Sequence, residues 1–197
     1  LKNALVIIWT TTPWTIPVNR ALAYNSNIKY SIVQMGKDIE SFKNKKIIIA
    51  SELVKKVSKE CNFNDFKIIK EFNGEDLKNT ICFHPLKNIG YDHEVPLLEG
   101  DFVTLEQGTG IVHSAPSHGP DDFNLCLKHG IKASNTMNDS GIYSEEIPFF
   151  SGIHIFKADK QVIEKLSENK NLLGNGKLQH SFPHSWRSKA PLVYRAT

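Results

Sequence analysis

Apolar residues along this chain fall mostly in short runs or at alternate positions. Ile28, Tyr30 and Ile32 alternate with Lys29 and Ser31, the period of a strand buried on one face. Leu5-Val6-Ile7-Ile8 and Ile47-Ile48-Ile49 are continuous and too short for buried helices. On this pattern strands are expected at 4–9, 28–34, 46–50, 66–72, 101–105, 109–113 and 191–195. Turn-forming clusters such as Asn25-Ser26-Asn27, Asn73-Gly74 and Glu99-Gly100-Asp101 separate them. Three stretches carry a helical period. Ser51 is placed to cap a helix over 52–60, with Leu53, Val54 and Val57 on one face. Pro120 suits the first position of a helix over 120–129, with Asp121 and Asp122 in its first turn and Gly130 as its stop. A third helix, 158–169, carries Val162, Ile163 and Leu166 on one side. Strands and helices do not alternate strictly. The pattern therefore predicts a mainly β fold with inserted helices, mixed or barrel-like, and not a doubly wound parallel sheet.

The length, 197 residues, suits one domain. With 40% hydrophobic and 23% charged residues the chain can build a core, which excludes a disordered protein. A net charge of +3 is compatible with a nucleic-acid partner and does not demand one. No apolar run approaches the ~20 residues of a membrane span, and no signal peptide is recognisable. Cys61, Cys82 and Cys126 are odd in number and widely spaced, which fits a reducing, cytoplasmic setting. The chain opens on Leu1, and both ends run directly into strand-like sequence. We expect one domain, 1–197, cut from a longer protein, with about 1–8 and 181–197 as the strands that link it to the remainder.

Two segments look unlike scaffold. In Trp9-Thr10-Thr11-Thr12-Pro13-Trp14-Thr15-Ile16-Pro17, four threonines follow a strand, and Pro13 and Pro17 prevent its pairing from continuing. Such hydroxyls can orient a water and a carbonyl together, or they can simply cap their own backbone. Gly108 to Asp122 reads as strand, loop and helix start, the kind of place where ligand sites concentrate. An ionised Asp121 or Asp122 in the first turn of a helix is stabilised by the helix dipole and could hold an ammonium group; such residues are also ordinary at helix starts. Other chemistries fit less well. His113, His118, Asp122 and Cys126 match no strong zinc spacing. Ser114 or Ser117 with His113 or His118 lacks the nucleophile elbow. Gly108-Thr109-Gly110 lacks the third glycine of a dinucleotide fingerprint, and no Gly-Lys-Ser/Thr occurs. The Lys-rich stretch from Lys37 to Lys59 is broken by Asp38, Glu40 and Glu52 and reads as a solvated face.

Trp9 to Pro17 with Asn19-Arg20-Ala21, together with Gly108 to Asp122, resembles the editing domain (connective peptide 1) of class I isoleucyl-tRNA synthetases. The valyl and leucyl relatives carry Thr-Thr-Arg-Pro, whereas Thr10-Thr11-Thr12-Pro13 and Trp14 point to the isoleucyl branch. His180 to Arg187 and Val193 to Thr197 look like the return into the catalytic domain, with Ser185 where relatives often have cysteine. The resemblance implies a split, closed β-barrel that hydrolyses valyl-tRNA(Ile), the product of an ATP-dependent ligase whose own active-site motifs are absent here. It implies catalytic roles for Thr10, Thr11, Thr12 and Asp122, with Asp122 holding the α-ammonium. Trp9, Trp14, Thr15 and His113 would bind substrate, His113 as the wall of the side-chain pocket. Trp9 and Trp14 either shape that pocket or pack the core. The implied partner is the 3′ CCA end of tRNA(Ile) carrying valine. The domain itself would need no metal or cofactor, ATP and magnesium serving the catalytic domain, and would be monomeric and independent of membranes. The competing expectation is a tRNA-binding module that has lost editing.

Overall fold

A computed structural model of the chain, describing residues 1–177, 183–189 and 191–196, forms the strands into two four-stranded sheets. In chain order the strands are β1 (Ala4–Val6), β2 (Ala21–Tyr24), β3 (Lys29–Met35), β4 (Lys46–Ala50), β5 (Phe66–Asn73), β6 (Ile81–Phe83), β7 (Glu94–Glu99) and β8 (Val112–Ser114). The first sheet runs β1-β4-β3-β5 and the second β6-β7-β2-β8. The β4 strand lies between a parallel β1 and an antiparallel β3 and buries Ile47, Ile48, Ile49 and Ala50, hence its unbroken apolar run. The sheets meet where Ala50 N–H donates to the Thr109 carbonyl at 2.9 Å and the Tyr30 hydroxyl to the Gly110 carbonyl at 2.8 Å. Gly110 is required at this seam. Its φ is +77°, and a Cβ there would lie 2.3 Å from that of Ala50.

The mainly β class with inserted helices holds, with corrections to individual elements. The β2, β6 and β7 strands lie outside the predicted set. In β2 the sequence Ala-Leu-Ala-Tyr has no alternation because all four residues are buried, and Pro96 masks β7. Residues 101–105 form no strand: 101–102 make a turn, with Gly100 N–H bonded to the Tyr24 carbonyl and Val103 N–H to that of Gly100. The 109–113 strand contracts to β8, and Pro191 makes only an isolated bridge to His184.

Helices α1 (Val54–Glu60), α2 (Pro120–Lys128) and α3 (Ile155–Glu168) match the three predicted. Ser51 does not cap α1. It lies in a 3-10 turn, Ser51–Leu53, and its hydroxyl pairs with that of Ser31 at 2.8 Å. The α3 helix starts three residues earlier than expected because the His154 side chain accepts from Phe156 N–H. Its Ile155, Ala158, Val162 and Leu166 form the buried stripe. Ser181, Phe182, Ala190 and Thr197 of the expected linking segment, and His180 just before it, lie outside the described residues. Among the described residues no helix is long and apolar enough to cross a membrane.

Two apolar clusters result. The larger joins both sheets with α1 and α2. The second gathers Trp14, Ile16, Val18, Ala115, Tyr143 and Phe150 around α3. The chain passes between them at several points, among them Trp14 to Tyr24 and Ile111 to Ala115. Both suspect segments lie at those crossings.

Candidate active site

A cleft of about 350 Å³ opens at this junction, lined by Trp9, Thr10, Thr11, Thr12, Thr15, His113, His118 and Asp122, with Phe102 and Gln107 across from them. The strand end and the helix start singled out in the sequence thus converge on one space. Thr109 steers the entry by donating to the Ile7 carbonyl at 2.6 Å, just before Trp9.

After Thr12 the chain turns into a 3-10 helix, Pro13–Val18. With three residues per turn, Thr12 and Thr15 share one face. The Thr15 hydroxyl donates to the Thr12 carbonyl at 2.8 Å, and the two hydroxyls are 3.4 Å apart. Thr10 Oγ1 accepts from Thr12 N–H at 3.0 Å. The self-capping arrangement is therefore real for part of the run. Thr11 differs: it lines the cleft, and its hydroxyl has no protein partner among the described residues. The same turn carries Trp14 to the opposite side. Trp14 is 5% exposed, packs in the second cluster with its ring edge-on to His118, and is absent from the cleft wall. The expectation that Trp14 binds substrate is corrected to a core role, whereas Trp9, 39% exposed, stands at the rim.

His113, on β8, is held by a directed chain of hydrogen bonds. The Asn19 amide donates to the Ala21 carbonyl and to His113 Nδ1, each at 2.9 Å. A carbonyl only accepts, so the amide nitrogen faces this side, and Nδ1 is left as the acceptor. Nε2 then carries the proton and donates to Thr15 Oγ1 at 2.8 Å, whose own proton goes to Thr12. Burial, with His118 nearby, lowers the His113 pKa to about 4, so the ring is neutral near neutral pH. A neutral ring fixed at both nitrogens is a rigid surface.

Asp122 lies in the first turn of α2 with its carboxylate folded back to accept from Ala115 N–H at 3.3 Å. Burial pushes its carboxyl up to about 6, Asp121 adding to the rise and the bond from Ala115 N–H, with the nearby Ser114 hydroxyl, opposing it. A Cβ at Gly119 would meet the carboxylate at 2.8 Å, so a side chain at 119 displaces it. Asp121, one residue earlier, points to solvent.

The competing chemistries lose their geometry. His118 Nδ1 donates to the Tyr194 carbonyl and Nε2 accepts from the Thr136 hydroxyl, at 2.9 and 2.8 Å, which leaves no free lone pair for a base. Ser117 donates to the Ser134 carbonyl. Among the described residues no three His, Cys, Asp or Glu side chains gather as a metal-binding set. Sequence reasoning missed Phe102 and the bonding role of Asn19; Asn19 lies in the quoted motif, and only its proximity to the threonines hinted at it.

No family model matches the chain. The isoleucine–tRNA ligase of Pelagibacter ubique is 61% identical over 197 residues, all of this chain and 22% of that protein. That of Gluconobacter oxydans is 41% identical over 211 residues, again all of this chain and 22% of the relative. The chain thus spans about a fifth of the length of these relatives. Among solved structures, GlLeuRS-CP1 superposes with a TM-score of 0.69 at 16% identity, covering 91% of this chain and 87% of that one. The editing domain of the P. falciparum cytosolic leucyl-tRNA synthetase gives 0.63 at 13%, covering 86% and 79%. At these identities the structures speak for the fold alone.

Proposed function

Given that the chain belongs to the isoleucine–tRNA ligase family, as a segment with the fold of a synthetase editing domain, we propose that it hydrolyses valyl-tRNA(Ile). The observation that carries this reading is the convergence of a partly buried carboxylate, a neutral histidine and a threonine turn on one cleft. A single extra methylene is worth only about 1–3 kcal/mol to a binding pocket, a rule for which isoleucyl-tRNA synthetase is itself the standard illustration. A second site that accepts valine and rejects isoleucine multiplies that discrimination.

The Asp122 carboxylate pairs with the ester's α-ammonium, a charge-assisted contact that fixes the acyl group. The side chain then faces the His113 ring. Thr11 and the unused lone pairs of Thr10 and Thr12 orient a water on the ester carbonyl. An aminoacyl ester is already activated, so positioning one water supplies much of the acceleration without a protein nucleophile. The unstacked terminal adenosine of the CCA end meets the aromatic rim at Trp9. On this reading the partner is valine-charged tRNA(Ile), the setting is the cytoplasm, the chain acts as a monomer, and no metal or cofactor takes part.

The decisive assay is release of valine from valyl-tRNA(Ile) by the 197-residue chain. Binding of the tRNA without release would leave only a binding module. Two further outcomes are expected. Thr11→Ala should lower the rate with little change in melting temperature, because that hydroxyl holds no part of the fold. Thr10→Ala and Thr12→Ala should lower both, and the triple variant should be far worse than any single one. Wild-type turnover in the triple variant would reduce the threonines to scaffold. Exhaustive chelation with EDTA should leave the rate within about twofold, because among the described residues no metal-donor set converges. Activity lost in EDTA and restored by zinc would overturn the mechanism.

A further inference from the structure

The turn that carries the threonines is anchored from outside its own sheet. In the 3-10 helix Pro13–Val18, the N-cap residue Thr12 makes no side-chain cap bond, and Trp14 to Val18 are buried. A buried backbone N–H at such a helix start needs an acceptor. That of Trp14 finds Asp159 Oδ1 at 2.9 Å, from α3 and 145 residues further along the chain. The Trp14 carbonyl accepts from the Tyr143 hydroxyl. Both main-chain polar groups of one residue are thus taken by side chains, one from α3 and one from the second cluster. Among the described residues no lysine or arginine forms an ion pair with Asp159. Its carboxyl is half-buried and raised by that burial, with the Trp14 N–H bond working the other way. Ordinary surface needs of α3 do not call for a carboxylate there, since Lys160 and Glu164 already supply the exposed charge.

We propose that Asp159 and Tyr143 are positioning residues for the editing reaction, acting through the Trp14 main chain to set the angle of the Thr10–Thr12 turn against His113 and Asp122. The inference rests on the hydrolytic reading above. Neither side chain lines the cleft, so neither touches substrate. Displacing the turn by about 1 Å is enough to lower a water-orienting reaction roughly a hundredfold. Affinity, set mainly by Asp122 and the rim, is left intact.

The test uses Asp159→Ala, Asp159→Asn and Tyr143→Phe in the 197-residue chain, with valyl-tRNA(Ile) as substrate and Trp14 amide hydrogen exchange followed by NMR. Asparagine keeps an acceptor for the Trp14 N–H, and phenylalanine keeps the ring packing while losing the donor. Asp159→Ala should lower kcat roughly 10- to 100-fold with KM within about twofold, and should accelerate Trp14 exchange. Asp159→Asn should restore both to within about threefold, and Tyr143→Phe should lower kcat about tenfold. If Asp159→Ala does not fold, Tyr143→Phe decides by the same readouts. Unchanged kcat or unchanged Trp14 exchange in Asp159→Ala, or equal loss in the alanine and asparagine variants, overturns the proposal. If wild type does not hydrolyse the ester, the hydrolytic reading fails by itself, and Trp14 exchange still decides whether the clamp exists.

Discussion

Asp122→Ala is expected to eliminate measurable hydrolysis of valyl-tRNA(Ile), whereas Asp121→Ala leaves it within about twofold. Removing one partner of a buried, charge-assisted pair costs about 2–5 kcal/mol, or roughly thirty- to several-thousand-fold. Asp122 lines the cleft and is partly buried, whereas Asp121 is solvated. Equal losses in the two variants would show that the wrong carboxylate has been assigned. The pH dependence follows from the same burial. The Asp122 carboxyl titrates at about 6, against an ordinary 3.8, mainly because it is desolvated. As pH falls through about 6 the free protein loses the anion proposed to bind the ammonium, so kcat/KM should fall with an inflection there. His113, lowered to about 4, does not titrate in that range.

The stability consequence runs in the opposite direction to the activity. Between pH 3.8 and about 6 the folded state holds a proton on Asp122 that the unfolded state has released. The group's contribution to stability is therefore fully present below 3.8 and is lost as pH rises through about 6. At pH 7 the carboxylate burdens the fold, and Asp122→Asn should raise stability there by about 1–3 kcal/mol while removing activity. Urea unfolding at pH 7 and pH 4 checks the sign. The gain should be present at pH 7 and largely gone at pH 4, and a loss of stability at pH 7 would refute the account.

How much of this was legible in the sequence depends on how local each signal is. The threonine run and the His113 to Asp122 segment are continuous motifs at a strand end and a helix start, and each reads on its own. That the two face one another was not readable from spacing, because it depends on β2 pairing with β8, and β2 is an unpatterned buried strand. The residues around Trp14 left open whether it shapes the pocket or packs the core. The 3-10 turn that begins at Pro13 rotates it into the second core while returning Thr15 to the cleft. Asp159 and Tyr143 carry no local signature, being a helix residue and a loop residue whose partner lies far away along the chain. Predicted elements fared best where β-branched and aromatic residues run together, as in β3 and β4, although the expected alternation in β3 failed: Ser31 is buried beside Tyr30, and the register shifts between Ile32 and Val33. They fared worst in the short Ala-Leu-Ala-Tyr run of β2 and where a proline intervenes in β7.

His113→Ala is expected to convert a selective site into a permissive one, releasing isoleucine from isoleucyl-tRNA(Ile) while still cleaving valyl-tRNA(Ile). A site that rejects one methylene does so by overpacking, which costs about 1–3 kcal/mol where the wall cannot yield. The His113 ring meets that condition. It is 8% exposed, uncharged, and pinned by Asn19 on one nitrogen and Thr15 on the other. Truncation to alanine opens the space that the extra carbon needs, so the ratio of isoleucine to valine release should rise by about 10- to 100-fold. The same truncation frees Thr15 and Asn19, so some loss of absolute rate is expected for both esters, and the ratio is the quantity to read. Asn19→Ala provides the companion measurement. It leaves the ring in place but removes the bond that fixes its tautomer, so selectivity should relax by less than in His113→Ala. If His113→Ala still spares isoleucyl-tRNA(Ile), the wall lies elsewhere on the cleft, and Trp9 and the threonine side chains become the surfaces to truncate next.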